Sequence, residues 1–127
     1  KLGIELRPHF KTHQSIEVGK WFRDYGIGKI AVSSVPMAQY FASDGWIDIT
    51  IAFPYVHQQA EEINALAKSI NLQVLVSSIG NAKLLSKSIE THVEVYIEID
   101  TGQYRSGLQI EDIETVNKTI EVIQSNF

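Results

Sequence analysis

Residues 93–100 read VEVYIEID, and their alternation is the main indication of the fold class. Successive side chains of a strand point to opposite faces, so its aliphatic residues fall on one face. Glu94, Tyr96, Glu98 and Asp100 fall on the other face. A barrel strand has this pattern when helices cover its outer face and its inner face lines a polar lumen. The stretch therefore favours a β/α barrel.

The rest of the chain alternates between strand patterns and helix patterns, which predicts an α/β fold with a parallel sheet. A Rossmann-like open sheet is the competing arrangement, but no G-x-G-x-x-G follows the first strand. A closed barrel has eight strands and about 250 residues. We therefore interpret the 127 residues as the first five βα units of a TIM-type (β/α)8 barrel. Strands are predicted over 2–6, 29–33, 48–53, 72–76 and 93–99, and helices over 13–25, 35–43, 57–70, 81–89 and 112–125.

Composition narrows the class of protein. The chain is 44% hydrophobic and 20% charged, as in ordinary globular domains. A net charge of −4 does not indicate the basic surface that a protein uses to bind nucleic acid or an anionic membrane. No apolar run approaches the ~18 residues of a membrane span. The absence of cysteine excludes disulfides and cysteine-based zinc sites, and it fits a cytoplasmic location.

A second stretch, LRPHFKTH over residues 6–13, combines an apolar strand pattern with a cluster of basic side chains. Strand alternation places Arg7, His9 and Lys11 on one face and Phe10 on the other. Burial and nearby positive charge both disfavour a lysine ammonium. We therefore expect Lys11, at the end of a buried strand, to become a neutral amine that attacks an aldehyde as a Schiff-base lysine does.

This run resembles the L-R-P-H-x-K-T-H-K signature of the D-threonine aldolase and D-serine dehydratase family. These are pyridoxal-phosphate enzymes with an alanine-racemase-like N-terminal barrel. The resemblance implies that Lys11 carries pyridoxal 5'-phosphate. His13 is predicted to contact the cofactor or to act in proton transfer, with a structural role as the alternative. His9 has the same functional options, and its structural alternative is a lumen residue paired to a carboxylate. The family often has a second lysine after T-H, where this chain has Gln14.

Residues 100–107 read DTGQYRSG, directly after the strand predicted over 93–99. They resemble the D-T-G-x-x-R-x-G segment shared by alanine racemases and the aldolase and dehydratase group. The resemblance implies that Arg105 hydrogen-bonds the phenolate oxygen of the cofactor ring. A fixed cation beside that oxygen keeps it ionised.

The family resemblance implies a lyase that acts on small β-hydroxy D-amino acids, either as an aldolase or as a dehydratase. It also implies a homodimer when the protein is full length, and a divalent metal whose ligands lie outside this chain. No metal site is predicted within the chain, because its histidines do not form a complete ligand set. An amino-acid racemase, a non-catalytic pyridoxal-phosphate homeostasis protein and an incomplete, non-binding fragment remain as alternatives. The remaining barrel strands and a C-terminal β-domain are expected to be absent from residues 1–127. These residues alone should bind the cofactor weakly or not at all, and they should either self-associate or be stable only beside the rest of the barrel.

Two further expectations concern individual side chains. Arg7 and Glu98 both point inward, so each should find an opposite charge or several hydrogen bonds in the lumen of the barrel, with pairing to each other as one option. The serine pairs at 33–34 and 77–78 follow strands, where they either line the pocket or cap helices.

Overall fold

The computed structural model describes residues 3–126, and its centre is a four-stranded parallel sheet in the order β1-β2-β3-β4. A separate pair of short parallel strands, β5 and β6, follows β4. The strands are β1 Ile30–Val32, β2 Asp48–Pro54, β3 Asn71–Val76, β4 Glu94–Ile97, β5 Ile99–Asp100 and β6 Leu108–Gln109. The helices are α1 Ile16–Asp24, α2 Val35–Ser43, α3 Ala60–Ala67, α4 Ile79–Ser88 and α5 Ile113–Gln124, with 3₁₀ turns at Phe10–Thr12 and His57–Gln59. The predicted alternation of strands and helices is confirmed.

Side-chain caps fix where the helices begin. Ser15 accepts a hydrogen bond from the backbone N–H of Val18, so α1 begins after it rather than at the predicted His13. Ser34 and Ser78 cap α2 and α4 in the same way. A capping oxygen satisfies a backbone N–H that has no partner within its own helix. The interpretation of these two serines as caps is therefore confirmed.

The outer face of the sheet is apolar and packs against the helices. Val32, Ile51, Val74 and Val95 stand side by side across all four strands. The first three are buried, and Val95 is half-buried at the edge of the same core. The predicted alternation of the 93–100 stretch is therefore confirmed for its aliphatic side.

The inner face of the sheet carries a polar layer. Arg7 Nη1 donates to Asp48 Oδ1 at 2.6 Å and to Gln73 Oε1 at 3.0 Å. Thr50 Oγ1 donates to the same glutamine oxygen at 2.8 Å. Gln73 is fully buried, so both ends of its amide need partners: the oxygen accepts from these two side chains, and Nε2 donates to Asn71 O at 3.4 Å. The prediction that Arg7 finds an opposite charge is confirmed, and its partner is Asp48 rather than Glu98.

The first predicted strand, 2–6, is wrong where the structure describes it. Residues 3–6 belong to no strand, and Gly3 has a φ of 64°, in the left-handed region that interrupts extended backbone. Leu2 lies outside the described residues. Pairing with β1 begins later, where Ala31 N donates to Pro8 O at 2.9 Å and His9 bridges to Ala31. Apolar residues do alternate with other residues in this segment, but the side chains of Ile4 and Leu6 are exposed to solvent.

Phe10 anchors the amino-terminal segment to the core. Its ring is fully buried, with centroids 5.1 Å from Phe22, 5.0 Å from Phe41 and 5.1 Å from Trp46. Helix α1 approaches this ring through Gly19, where an added Cβ would lie 3.3 Å from Phe10. Such aromatic contacts add to the free energy gained by burial. The position of residues 9–13 therefore depends on this cluster.

We predict that Gln73→Leu lowers the free energy of unfolding by about 1–3 kcal/mol, because it leaves the buried Thr50 hydroxyl without its acceptor. Urea unfolding monitored by circular dichroism measures the change. Gln58→Leu is the control, because Gln58 is exposed, and a change within about 0.5 kcal/mol is expected there. Equal effects of the two substitutions would contradict the role given to the inner polar layer.

Candidate active-site cleft

A cleft of about 410 Å³ opens at the carboxyl ends of β2 and β4. Barrel enzymes build their active sites at this end of the strands. Its volume falls within the range of about 300–1,000 Å³ that is usual for small-molecule sites. Lys11, Arg105 and Glu98 line it together with the end of β2 and the 100–106 loop. The structure thus brings the two predicted cofactor residues, Lys11 and Arg105, to one cleft.

The backbone of Lys11 is held in the 3₁₀ turn Phe10–Thr12. Its N–H donates to His9 Nδ1 at 3.3 Å, and its carbonyl accepts from Gln14 Nε2 at 3.2 Å. The side chain of Lys11 is exposed, so the expectation of a buried strand end is wrong. The chain turns at Phe10 instead of continuing as a strand, because the phenylalanine ring packs in the core.

His9 supports this turn as a neutral acceptor. Burial, followed by the charge of Lys11, lowers the pKa of His9 below its ordinary value of 6.5. The neutral ring can keep Nδ1 unprotonated and accept the backbone N–H of Lys11. The alternative in which His9 pairs with a carboxylate is not what the structure shows, because its hydrogen bond is to this backbone group.

Asp100 organises the loop that carries Arg105. Its Oδ1 accepts from the backbone N–H groups of Gly102 and Gln103, both at 2.9 Å. Its Oδ2 accepts from Tyr104 N at 3.0 Å and from Gln109 Nε2 at 3.0 Å. The Gln109 side chain and then these backbone donors lower the pKa of Asp100 below its ordinary value of 3.8, against the opposing effect of burial.

The far end of the loop is fixed by Gly107, which has a φ of 103°. A Cβ at this position would lie 2.8 Å from Asp100 N and 2.9 Å from Glu98 O. Only glycine combines this backbone conformation with so close an approach. The second glycine of the DTGQYRSG segment is therefore required where the loop returns to pair as β6.

Glu98 is the side chain in the cleft that the motifs did not single out as a functional residue. Its Oε1 accepts from Ser106 Oγ at 2.8 Å, while its buried Oε2 has no hydrogen-bond partner within residues 3–126. The expectation of an opposite charge or several hydrogen bonds is therefore wrong for Glu98 in this structure. The sequence did give one indication of its importance, because Glu98 falls on the inward face of the strand predicted over 93–99.

His13, the third predicted cofactor residue, does not line this cleft. Its ring stacks on Phe22 at 5.7 Å and contacts Phe10 edge-on at 4.4 Å. Nδ1 accepts from Ser15 N at 3.2 Å, and the buried Nε2 has no partner in the described part of the chain. A cofactor contact of His13 stays a prediction.

The cleft therefore combines a primary amine, a permanently charged guanidinium and an unpaired carboxylate oxygen, at the mouth of a parallel α/β sheet. An amine can attack a carbonyl carbon, and a guanidinium can hold an oxyanion. Among residues 3–126, no group of three or more histidine, aspartate or glutamate side chains is placed to hold a metal ion. This combination of fold and side chains defines an amine-bearing site in a β/α barrel segment.

The chain belongs to the family described as alanine racemase, N-terminal domain, whose model matches residues 3–125. The sequence is 32% identical to D-threo-3-hydroxyaspartate dehydratase of Delftia sp. (strain HT23), over 87% of this chain and 30% of that protein. It is 29% identical to D-serine dehydratase of Dictyostelium discoideum, over 84% of this chain and 30% of that protein. The chain spans about a third of the length of these relatives.

Solved structures agree with this assignment. The Delftia dehydratase superposes with a TM-score of 0.90 at 28% identity, covering 98% of this chain and 34% of that one. D-threonine aldolase of Filomicrobium marinum superposes with a TM-score of 0.78 at 24% identity, covering 84% of this chain and 30% of that one, which shows the fold alone. The predicted fold and the resemblance to the aldolase and dehydratase family are therefore confirmed: the chain is an N-terminal portion of an alanine-racemase-like barrel domain.

None of the helices within residues 3–126 has the length and apolar character needed to cross a membrane.

We predict that the 100–107 loop loses stability in acid. The folded state lowers the pKa of Asp100, so its carboxylate contributes stability that is fully present well above its ordinary pKa of 3.8 and is lost as the pH falls through the lowered pKa. Asp100→Asn should therefore reduce stability at neutral pH and flatten its fall between about pH 5 and pH 2. Urea unfolding across this range measures both effects.

The matched control is Asp24→Asn, because Asp24 is exposed on the last turn of α1. That variant should follow the acid dependence of the unsubstituted protein. A curve for Asp100→Asn that coincides with the control at every pH would show that the loop does not depend on this carboxylate.

Proposed function

We propose that this chain is part of a pyridoxal-phosphate-dependent lyase that acts on small β-hydroxy D-amino acids, with Lys11 as the residue that binds the cofactor covalently. The observation that carries the proposal is the placement of Lys11 and Arg105 in one cleft, although they come from opposite ends of the chain. Each belongs to a segment that resembles a cofactor-binding motif of the family.

The side chains of the cleft suit this cofactor. Lys11 offers a primary amine for the cofactor aldehyde, and its side chain is exposed to the cleft rather than held in an ion pair within the described residues. Arg105 offers the planar donor group that a ring oxyanion requires. We propose that the phosphate is bound outside this chain, because the phosphate loops of such barrels usually follow the seventh and eighth strands.

When bound, pyridoxal phosphate supplies an electron sink for the negative charge that develops on the substrate α-carbon. The chain's own residues hold and orient the reacting groups. His9 and Gln14 form hydrogen bonds to the backbone of Lys11 and hold it in place. The position of Nζ then depends only on the side-chain rotamer of Lys11. We also expect Lys11 Nζ to carry a proton to and from the substrate. Asp100 holds the loop on which Arg105 lies.

Dehydration is the reaction type that the comparisons favour. The relatives at 32% and 29% identity are both dehydratases, whereas the aldolase structure, at 24% identity, supports only the fold. A variant of the Delftia dehydratase has been solved in a metal-free form. We propose that any metal ligands of the full-length protein lie outside this chain, and that the ion they hold would assist departure of the β-hydroxyl.

Lys11→Ala in the full-length protein should abolish covalent cofactor binding and turnover, because no other amine is held at that position. The measurement is the visible absorbance band of the bound cofactor and its loss on borohydride reduction. Lys83→Ala, at an exposed position of α4, is the control and should keep the band. A reducible band that survives in Lys11→Ala would exclude Lys11 as the cofactor lysine.

A product assay with D-serine, D-threonine and D-threo-3-hydroxyaspartate should give a keto acid and ammonia in equal amounts. Overall, water is eliminated from the β-hydroxy amino acid and one water is then consumed as ammonia is released. Glycine and acetaldehyde from D-threonine would identify an aldolase instead. Formation of the L-isomers without keto acid would identify a racemase, and both of those outcomes contradict the dehydratase proposal.

A further inference from the structure

The turn between α2 and β2 contains the pair Asp44–Gly45. Asp44 is the cap residue at the end of α2, and Gly45 follows it with a φ of 88°, in the left-handed region that favours glycine. An aspartate side chain is open to attack by the backbone nitrogen of the next residue when that residue is glycine, because glycine has no Cβ to obstruct the approach. The pair is therefore a candidate site for a covalent change of the backbone.

The change is isomerisation of aspartate to isoaspartate, and water is the only other reactant. Gly45 N forms a bond to Asp44 Cγ, and the carboxyl hydroxyl leaves with the proton of that nitrogen as water. The product is a five-membered succinimide ring. Water then adds at the former main-chain carbonyl carbon of Asp44 and breaks its bond to Gly45 N. The main chain now runs through Cγ and is one carbon longer, while the composition of the protein is unchanged.

Arg23 holds the oxygens of Asp44 on both the side chain and the main chain. Its Nη2 donates to Asp44 O at 2.8 Å and forms an ion pair with Asp44 Oδ2. One guanidinium nitrogen thus ties the carboxylate to the carbonyl oxygen of its own residue. The ion pair is made by the carboxylate, whereas a hydroxyl can leave only from the protonated carboxyl. Arg23 therefore opposes the first step of the isomerisation.

The attacking nitrogen and the guanidinium are themselves held in the turn. Gly45 N donates to Ala42 O at 2.9 Å. The Arg23 guanidinium lies 4.8 Å from the centre of the Trp46 ring, a cation–π contact that keeps it over the turn. Only 18% of the Asp44 side chain is exposed. Ring closure therefore requires the turn to release both the nitrogen and the carboxylate.

We propose that Asp44 is a site of spontaneous isomerisation to isoaspartate and that Arg23 holds this reaction in check. The added main-chain carbon would come just before Trp46, whose ring lies 5.1 Å from that of Phe10. Because Phe10 anchors the turn that carries Lys11, isomerisation would loosen the packing behind the cleft. The inference does not depend on the proposed function.

The test incubates the full-length protein in warm neutral buffer and follows isoaspartate with time. An isoaspartate-specific methyltransferase labels the product, and mass spectrometry of the digested protein locates it. Arg23→Gln should speed isomerisation at Asp44 roughly tenfold, as expected for loss of hydrogen bonds to a charged group. Arg23→Lys restores a cation and should recover part of the protection. Lys118→Gln is the matched control, because it removes an exposed lysine that pairs with Glu114 on α5, and it should leave the rate unchanged.

A double variant identifies the reacting residue. Adding Asp44→Glu to Arg23→Gln should abolish the label, because the ring would then need six atoms and forms far more slowly. Equal rates for Arg23→Gln, Lys118→Gln and the unsubstituted protein would overturn the inference, and so would a label that persists in the double variant.

A second measurement applies if Arg23→Gln does not fold. Concentrated salt screens the partly exposed ion pair between Arg23 and Asp44, so the unsubstituted protein should isomerise faster there than at low salt. A rate that does not change with salt would overturn the inference.

Discussion

Burial of the Phe10 ring is the constraint on which the rest of the site depends. The ring is enclosed by Phe22, Phe41 and Trp46, and α1 closes over it through Gly19. Because Phe10 points into the core, the following residue, Lys11, emerges on the side of the cleft. A hydrophobic contact between the amino-terminal segment and the helical layer thus sets the position of the reactive amine.

The opposite wall of the cleft is set by polar interactions instead. Asp100 accepts hydrogen bonds from backbone N–H groups of its own loop, and Gly107 allows the end of that loop to pack against the strand. Arg105 lies between these two fixed points. The cleft therefore combines one wall held by packing and one held by a hydrogen-bonded turn, and the parallel sheet keeps the two walls at the same end of the strands.

Much of this architecture could be predicted from the sequence, because the spacing of hydrophobic residues clearly distinguishes its helices from its strands. The predicted bounds of α2 coincide with the observed Val35–Ser43, and the two motif segments lie together as parallel strands require. The strand at 2–6 was wrong because alternation reports which side chains are apolar but not whether a neighbouring strand is present to pair with them. Strand β6 is two residues long, Leu108–Gln109, which is too short to show any period. The unfilled oxygen of Glu98 could not be predicted, because it depends on which donors reach it in three dimensions.

Locating the covalent cofactor in the full-length protein tests the role of Lys11 most directly. Borohydride reduction would fix pyridoxyl phosphate to its lysine, and mass spectrometry of the digested protein would identify the modified peptide. We predict that the modification lies on Lys11. Modification of any other lysine, or of none, would contradict it.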